Sequence, residues 1–118
     1  MPILKVYGLP GNFSGQGRLV ELKQLLAVAT ADNVPNLSAS EVTVFFPRDM
    51  DPDVGTGCVI FVDGLFNNAE RTQIVRGKLA LELVTALGKF LAERAPKKRM
   101  IECFVRPFDP RDGFAAGS

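Results

Sequence analysis

A strand-like stretch, a stretch with helical apolar spacing and a second strand-like stretch follow one another, and this happens twice along the chain. Residues 2–8 (Pro-Ile-Leu-Lys-Val-Tyr-Gly) read as a strand stopped by Gly8. Residues 9–17 are rich in Gly, Pro, Asn and Ser and read as a loop. From Arg18, the apolar residues Leu19, Leu22, Leu26 and Ala29 recur at steps of three and four, which predicts an amphipathic helix closing near Asp32-Asn33. Pro35 and the run Ser38-Ala39-Ser40 form a connector. Val42 to Phe46, β-branched and aromatic, is a strand ended by Pro47.

Residues 47–57 carry prolines, aspartates and glycines, the composition of a turn-rich loop. Cys58 to Val62 is apolar at every position and predicts a short strand ended by Gly64. Asn67 is placed to cap a second helix, with Glu70 at capping-box spacing. That helix is expected to run to about Ala95, with Ile74, Leu81, Val84 and Leu91 as its buried stripe, and Pro96 prevents its continuation. Met100 to Val105 is the last strand, before a tail rich in Pro, Asp and Gly.

The order is β-α-β-β-α-β, and it repeats internally. Val6-Tyr7-Gly8-Leu9 matches Val62-Asp63-Gly64-Leu65 at three of four positions, an offset of 56, and Asn12 then falls on Asn68. Val42–Phe46 and Ile101–Val105 share their apolar pattern at four of five positions, an offset of 59. The expectation is one domain over residues 1–118, with repeat halves at about 2–50 and 57–112. Two helices can cover one face of a four-stranded sheet, and no third element remains for the other. The unbroken apolar run Cys58–Val62 is the pattern of a strand buried on both faces. A second copy of the chain is the economical cover, so a homo-oligomer is expected. The alternative is a monomer with some exposed apolar side chains.

Composition narrows the chemistry. The 118 residues are 47% hydrophobic and 23% charged, with a net charge of +1, so no strong field favours nucleic acid or an anionic membrane. Lys97-Lys98-Arg99 is too short a basic run to change that and reads as a solvated loop. No apolar stretch has the length of a membrane span, and the start of the chain lacks the pattern of a signal peptide. Cys58 and Cys103 lie inside apolar strands and read as buried thiols of a reducing, cytoplasmic setting. The absence of histidine removes His-based triads and His acid/base chemistry, and with only two cysteines it makes a zinc site unexpected. No cofactor is expected.

Three features together resemble the tautomerase superfamily: Pro2 directly after Met1, the doubled β-α-β unit, and the Pro/Ser-rich connector from Pro35 to Val44. The length is similar to that of the long-subunit members, which include macrophage migration inhibitory factor and 5-carboxymethyl-2-hydroxymuconate isomerase. The resemblance implies a two-layer α+β fold with an internal pseudo-twofold repeat, a four-stranded mixed sheet and two helices on one face. It also implies a homotrimer whose sheets line a central barrel. The implied activity is that of a tautomerase or isomerase, or of a related hydratase or dehalogenase, with the amine of Pro2 as general base on a small oxo or enol acid once Met1 is removed. Arg71, Arg106 and Arg48 are then the candidates for holding the substrate carboxylate, and Phe46 and Phe104 for lining the pocket. Each arginine also reads as a surface charge and each phenylalanine as core. Lys5, three residues from Pro2, points to the opposite face of the strand.

The chain departs from the family pattern at Thr43, where the short tautomerases carry an arginine, and near Phe104, where no counterpart appears of the tyrosine and asparagine that line the migration inhibitory factor pocket. Two alternatives therefore stay open. One is a catalytically inactive trimer of the same fold that acts as a binding or scaffold protein. The other is a ferredoxin-like regulatory module, which has the same element order but an antiparallel sheet. The chain lacks an RNP-type aromatic motif, which argues against RNA binding.

Overall fold

The computed structural model describes residues 2–10, 17–47, 57–94 and 99–117. Four strands, β1 (Ile3–Tyr7), β2 (Thr43–Phe45), β3 (Cys58–Phe66) and β4 (Ile101–Phe108), form one sheet in the order β2-β1-β3-β4. The helices α1 (Arg18–Asn33) and α2 (Gln73–Arg94) connect β1 to β2 and β3 to β4. Both connected pairs are parallel, and the central pair β1–β3 is antiparallel. Parallel strands need a long crossover, and each helix supplies one. The sheet is therefore mixed, and the ferredoxin-like alternative is corrected: that arrangement inserts a strand between the two that each helix joins and is antiparallel throughout, whereas here β1 lies directly beside β2 and β3 beside β4, both pairs parallel.

The pairing carries the symmetry of the repeat. Lys5 pairs with Phe61, its counterpart 56 residues on, so this pair sits at the pseudo-twofold centre. Leu4 pairs with Val44, and their counterparts Ile60 and Cys103 pair with each other.

One face of the sheet packs on the helices. Leu4, Val6, Val44, Cys58, Ile60 and Val62 meet Leu22, Leu26, Leu79, Leu83, Leu87 and Leu91 in a continuous core. Thr30 is fully buried in it, and its hydroxyl donates to the Leu26 carbonyl (2.8 Å), so no polar group is left unpaired there. The expected stripe of α1 holds at Leu22 and Leu26. That of α2 holds at Leu91 and is corrected at Ile74, 84% exposed, and Leu81, 65%: the buried row is Leu79, Leu83, Leu87, Phe90 and Leu91. Both rows have helical spacing, so periodicity alone could not choose between them.

The start of α2 is corrected as well. The Asn68 side chain accepts from the backbone N–H groups of Glu70 (2.9 Å) and Arg71 (3.0 Å), which makes a turn of the segment where a helix was expected. Helix begins at Gln73, after Thr72, whose hydroxyl accepts from the Val75 N–H. Gly64 (φ 72°) does not end β3: it sits in a bulge between Val62 and Leu65, beyond which the β3–β4 pairing resumes as far as Phe66 and Phe108.

Candidate functional site

Pro2 is buried, and its carbonyl accepts from the Thr43 N–H (3.1 Å), which ties the start of the chain to β2. Strand alternation places Pro2 on the side of Leu4 and Val6, toward the helices. The β1–β3 register, continued by one residue from Ile3–Asp63, sets Pro2 beside Gly64. The turn between β3 and α2 lies at this same end of the sheet. The Asn36 side-chain amide donates to Glu70 there, joining that turn to the connector between α1 and β2.

Arg71 closes the turn. Its guanidinium donates through Nη1 to the Phe66 carbonyl (3.0 Å), and its own carbonyl accepts from Arg76 Nη1 (2.7 Å). Its Nε is buried and has no hydrogen-bond partner. A buried donor left unpaired costs about 1–3 kcal/mol, a cost relieved when this N–H donates to an anionic oxygen. Arg71 and Pro2 thus belong to one end of the sheet.

The other candidates lie elsewhere. Arg106 sits on the sheet face away from the helices, where it forks onto Asp63 (Nε–Oδ1 2.6 Å, Nη2–Oδ2 2.7 Å) and lies over the Phe61 ring at 4.5 Å. The Asp63 carboxylate holds the Arg106 guanidinium above its ordinary range, chiefly through these hydrogen bonds. Lys5 approaches the same carboxylate at 3.7 Å. Phe104 stacks on Phe61 on this face (5.6 Å) and is 47% exposed. Phe46 is half-buried against the core. The β1–β2 register continued sets it beside Val6, four residues along the strand from Pro2, or about 13 Å. Arg48 lies outside the described residues.

Sequence reasoning missed Asp63 and Phe61. The signal available was an aspartate directly following an apolar strand, at the repeat position of Tyr7. It also missed the aromatic cluster of Phe66 with Phe108 (6.1 Å) and Phe114 (4.8 Å), whose members meet only because β3 and β4 continue past the bulge.

The cysteines are not activated. Both are free, and burial pushes the Cys103 thiol up to about 12. Burial also raises Cys58, against an opposing effect of Arg99, and its thiol donates to the Gly8 carbonyl (3.3 Å). Among the described residues no His, Cys, Asp and Glu side chains group as a metal site, and no helix is long and apolar enough to cross a membrane. A groove of about 500 Å³ runs between α1 and α2, floored by Leu25, Ala29, Ala86 and Phe90, and none of the candidate residues lines it.

No family model and no curated protein matches the chain by sequence. Solved structures match its fold over nearly its whole length. A fused 4-OT described as a wild type asymmetric trimer aligns with a TM-score of 0.67 at 22% identity, covering 98% of this chain and 92% of that one. A 5-carboxymethyl-2-hydroxymuconate isomerase from Deinococcus radiodurans R1 aligns at 0.69 and 16% identity, covering 99% and 90%. The macrophage migration inhibitory factor of Toxoplasma gondii aligns at 0.65 and 15% identity, covering 98% and 96%. The chain shares the fold of these solved structures, a mixed four-stranded sheet built from a doubled β-α-β unit.

Proposed function

We propose that this protein is a tautomerase or isomerase that works as a homotrimer, with Pro2, freed by removal of Met1, as general base on a small oxo or enol acid. The observation that carries the reading is the burial of Pro2 at the same end of the sheet as Arg71, whose buried Nε lacks a partner. A chain-terminal amine titrates near about 8 in water. Burial disfavours the ammonium and lowers that value. The neutral amine takes a proton from a carbon beside a carbonyl and returns it elsewhere on the conjugated system. Arg71 holds the carboxylate and stabilises the developing enolate. The fold shared with a fused 4-OT trimer and the uncovered sheet face support the trimer. Free thiols at Cys58 and Cys103 support a cytoplasmic setting.

The second reading is an inactive trimer of this fold that acts as a binding protein. It is favoured by Arg106, which is committed to Asp63 and faces away from the side of Pro2. Intact mass followed by assay separates the two. Protein shown by mass to lack Met1 is tested on phenylenolpyruvate-type and oxo-dienoate acids, with Arg71→Ala alongside. Turnover that falls in the variant supports the enzyme. Silence of fully processed wild type across the panel refutes it and leaves the binding protein.

A further inference from the structure

The sheet face away from the helices is arranged in rows across the strands. Ile3 lies beside Asp63, which is clasped by Arg106. Lys5 lies between Phe45 and Phe61, and Phe61 is followed by Phe104. Tyr7, Val59 and Glu102 form the third row. The middle of this face is aromatic, with Tyr7 edge-on to Phe61 (5.9 Å) and Phe61 stacked on Phe104, and it is open: Phe45 is 51% exposed. Its charges are separated. Lys5 and Arg106 share the single carboxylate of Asp63, which leaves a cationic surplus at that end. Glu102, at the other end, is exposed and has no hydrogen-bond or ion-pair partner among the described residues. Four residues of β4, about 13 Å, separate it from Arg106, too far for the two to neutralise each other within one chain.

We propose that this face is covered by a second copy of the chain, with the Glu102 carboxylate of one copy paired to the Lys5–Arg106 end of the next. The proposal rests on the self-assembly reading above and adds the contact that sets its orientation. Aromatic surface supplies contact area and little direction, whereas charge decides which ends meet. Like ends together place cations on cations, while opposite ends together satisfy Glu102 and the cationic surplus at once. Repeated around a ring, the contact joins each copy to the next in the same sense.

The test is charge reversal read by native mass and by dilution-dependent light scattering. Glu102 is exposed on an edge strand, so Glu102→Lys is not expected to disturb folding, and far-ultraviolet circular dichroism checks that it does not. The expected result at low salt is a dissociation concentration raised at least about tenfold in Glu102→Lys. The difference shrinks in about 1 M NaCl, where screening is strong, and the double variant Glu102→Lys/Lys5→Glu recovers much of the loss. A Glu102→Lys protein that assembles like wild type at low salt overturns the ion pair while leaving the assembly intact. A wild type that is monomeric at every concentration overturns both. A wild-type dimer that loosens in Glu102→Lys keeps the pair and overturns the trimer.

Discussion

Replacing Gly8 by alanine isolates the backbone geometry on which the repeat is built. Gly8 has φ 82°, a left-handed conformation in which a Cβ is strained, and the added methyl would run into the Gly57 carbonyl oxygen. The strained conformation costs about 1–2 kcal/mol. The collision adds a cost of similar size, because its partner is backbone next to β3 and cannot rotate away as a side chain would. The expected loss is therefore about 3 kcal/mol, or a fall in Tm on the order of 10 °C for a chain of this length. Gly77→Ala is the internal control. Gly77 lies within α2 with nothing within 4 Å of its added Cβ, so alanine should stabilise by about 0.5–1 kcal/mol from helix propensity. Urea unfolding of both variants at one fixed protein concentration measures the pair, the concentration being held because assembly shifts apparent stability. A Gly8→Ala protein within about 0.5 kcal/mol of wild type would refute the reasoning, since the turn after β1 would then have another conformation.

Other expectations follow from the site and the core. With its thiol pushed up to about 12, Cys103 should remain almost wholly protonated at pH 8 and react with a disulfide reagent far more slowly in the folded protein than in urea. The same shift makes its contribution to stability full below pH about 9, where an unfolded thiol titrates, and lost progressively as pH rises from there toward 12; urea midpoints at pH 8 and 10.5 test the sign. Arg71→Lys keeps the charge and loses the planar fork, so kcat/KM on an acid substrate should fall by about tenfold or more. In the same assay Arg106→Lys should change little, because Arg106 serves Asp63; equal losses in the two would contradict the assignment.

Much of the architecture is legible in the chain. The repeat Val-x-Gly-Leu marks two equivalent backbone positions, and both of its glycines adopt positive φ, Gly8 just past the end of β1 and Gly64 in the bulge of β3. In α1 the expected stripe includes the buried Leu22 and Leu26, although Val20, Leu25 and Val28 are exposed apolar residues of the same helix. The second helix carries apolar residues on more than one side, so the exposed Ile74 and Leu81 compete with the true row through Leu79, Leu83 and Leu87. At its start, Asn67 and Glu70 satisfy the spacing of a capping box, but the neighbouring Asn68 takes the backbone N–H groups into a turn. That competition is decided by where β3 ends, which in turn depends on a bulge.

For the site, a proline at position 2 and a set of arginines can be read from the chain, but not which of them converge. Arg71 and Arg106 look alike as residues. One leaves a buried Nε unpaired near the end of the sheet where Pro2 lies, and the other is clasped by Asp63 on the opposite face. Asp63 meets Arg106 at a sequence separation of 43, and Lys5 joins them only through the antiparallel pairing of β1 with β3. Sequence by itself determined the element order and the duplication, because these follow from local periodicity and turn chemistry; it read Cys58–Val62 as buried on both faces, whereas Val59 and Phe61 are half-buried. Tertiary structure alone decided which face of the sheet each arginine occupies and which carboxylate neutralises it, because strand pairing and a single bulge set those distances and no local pattern encodes them.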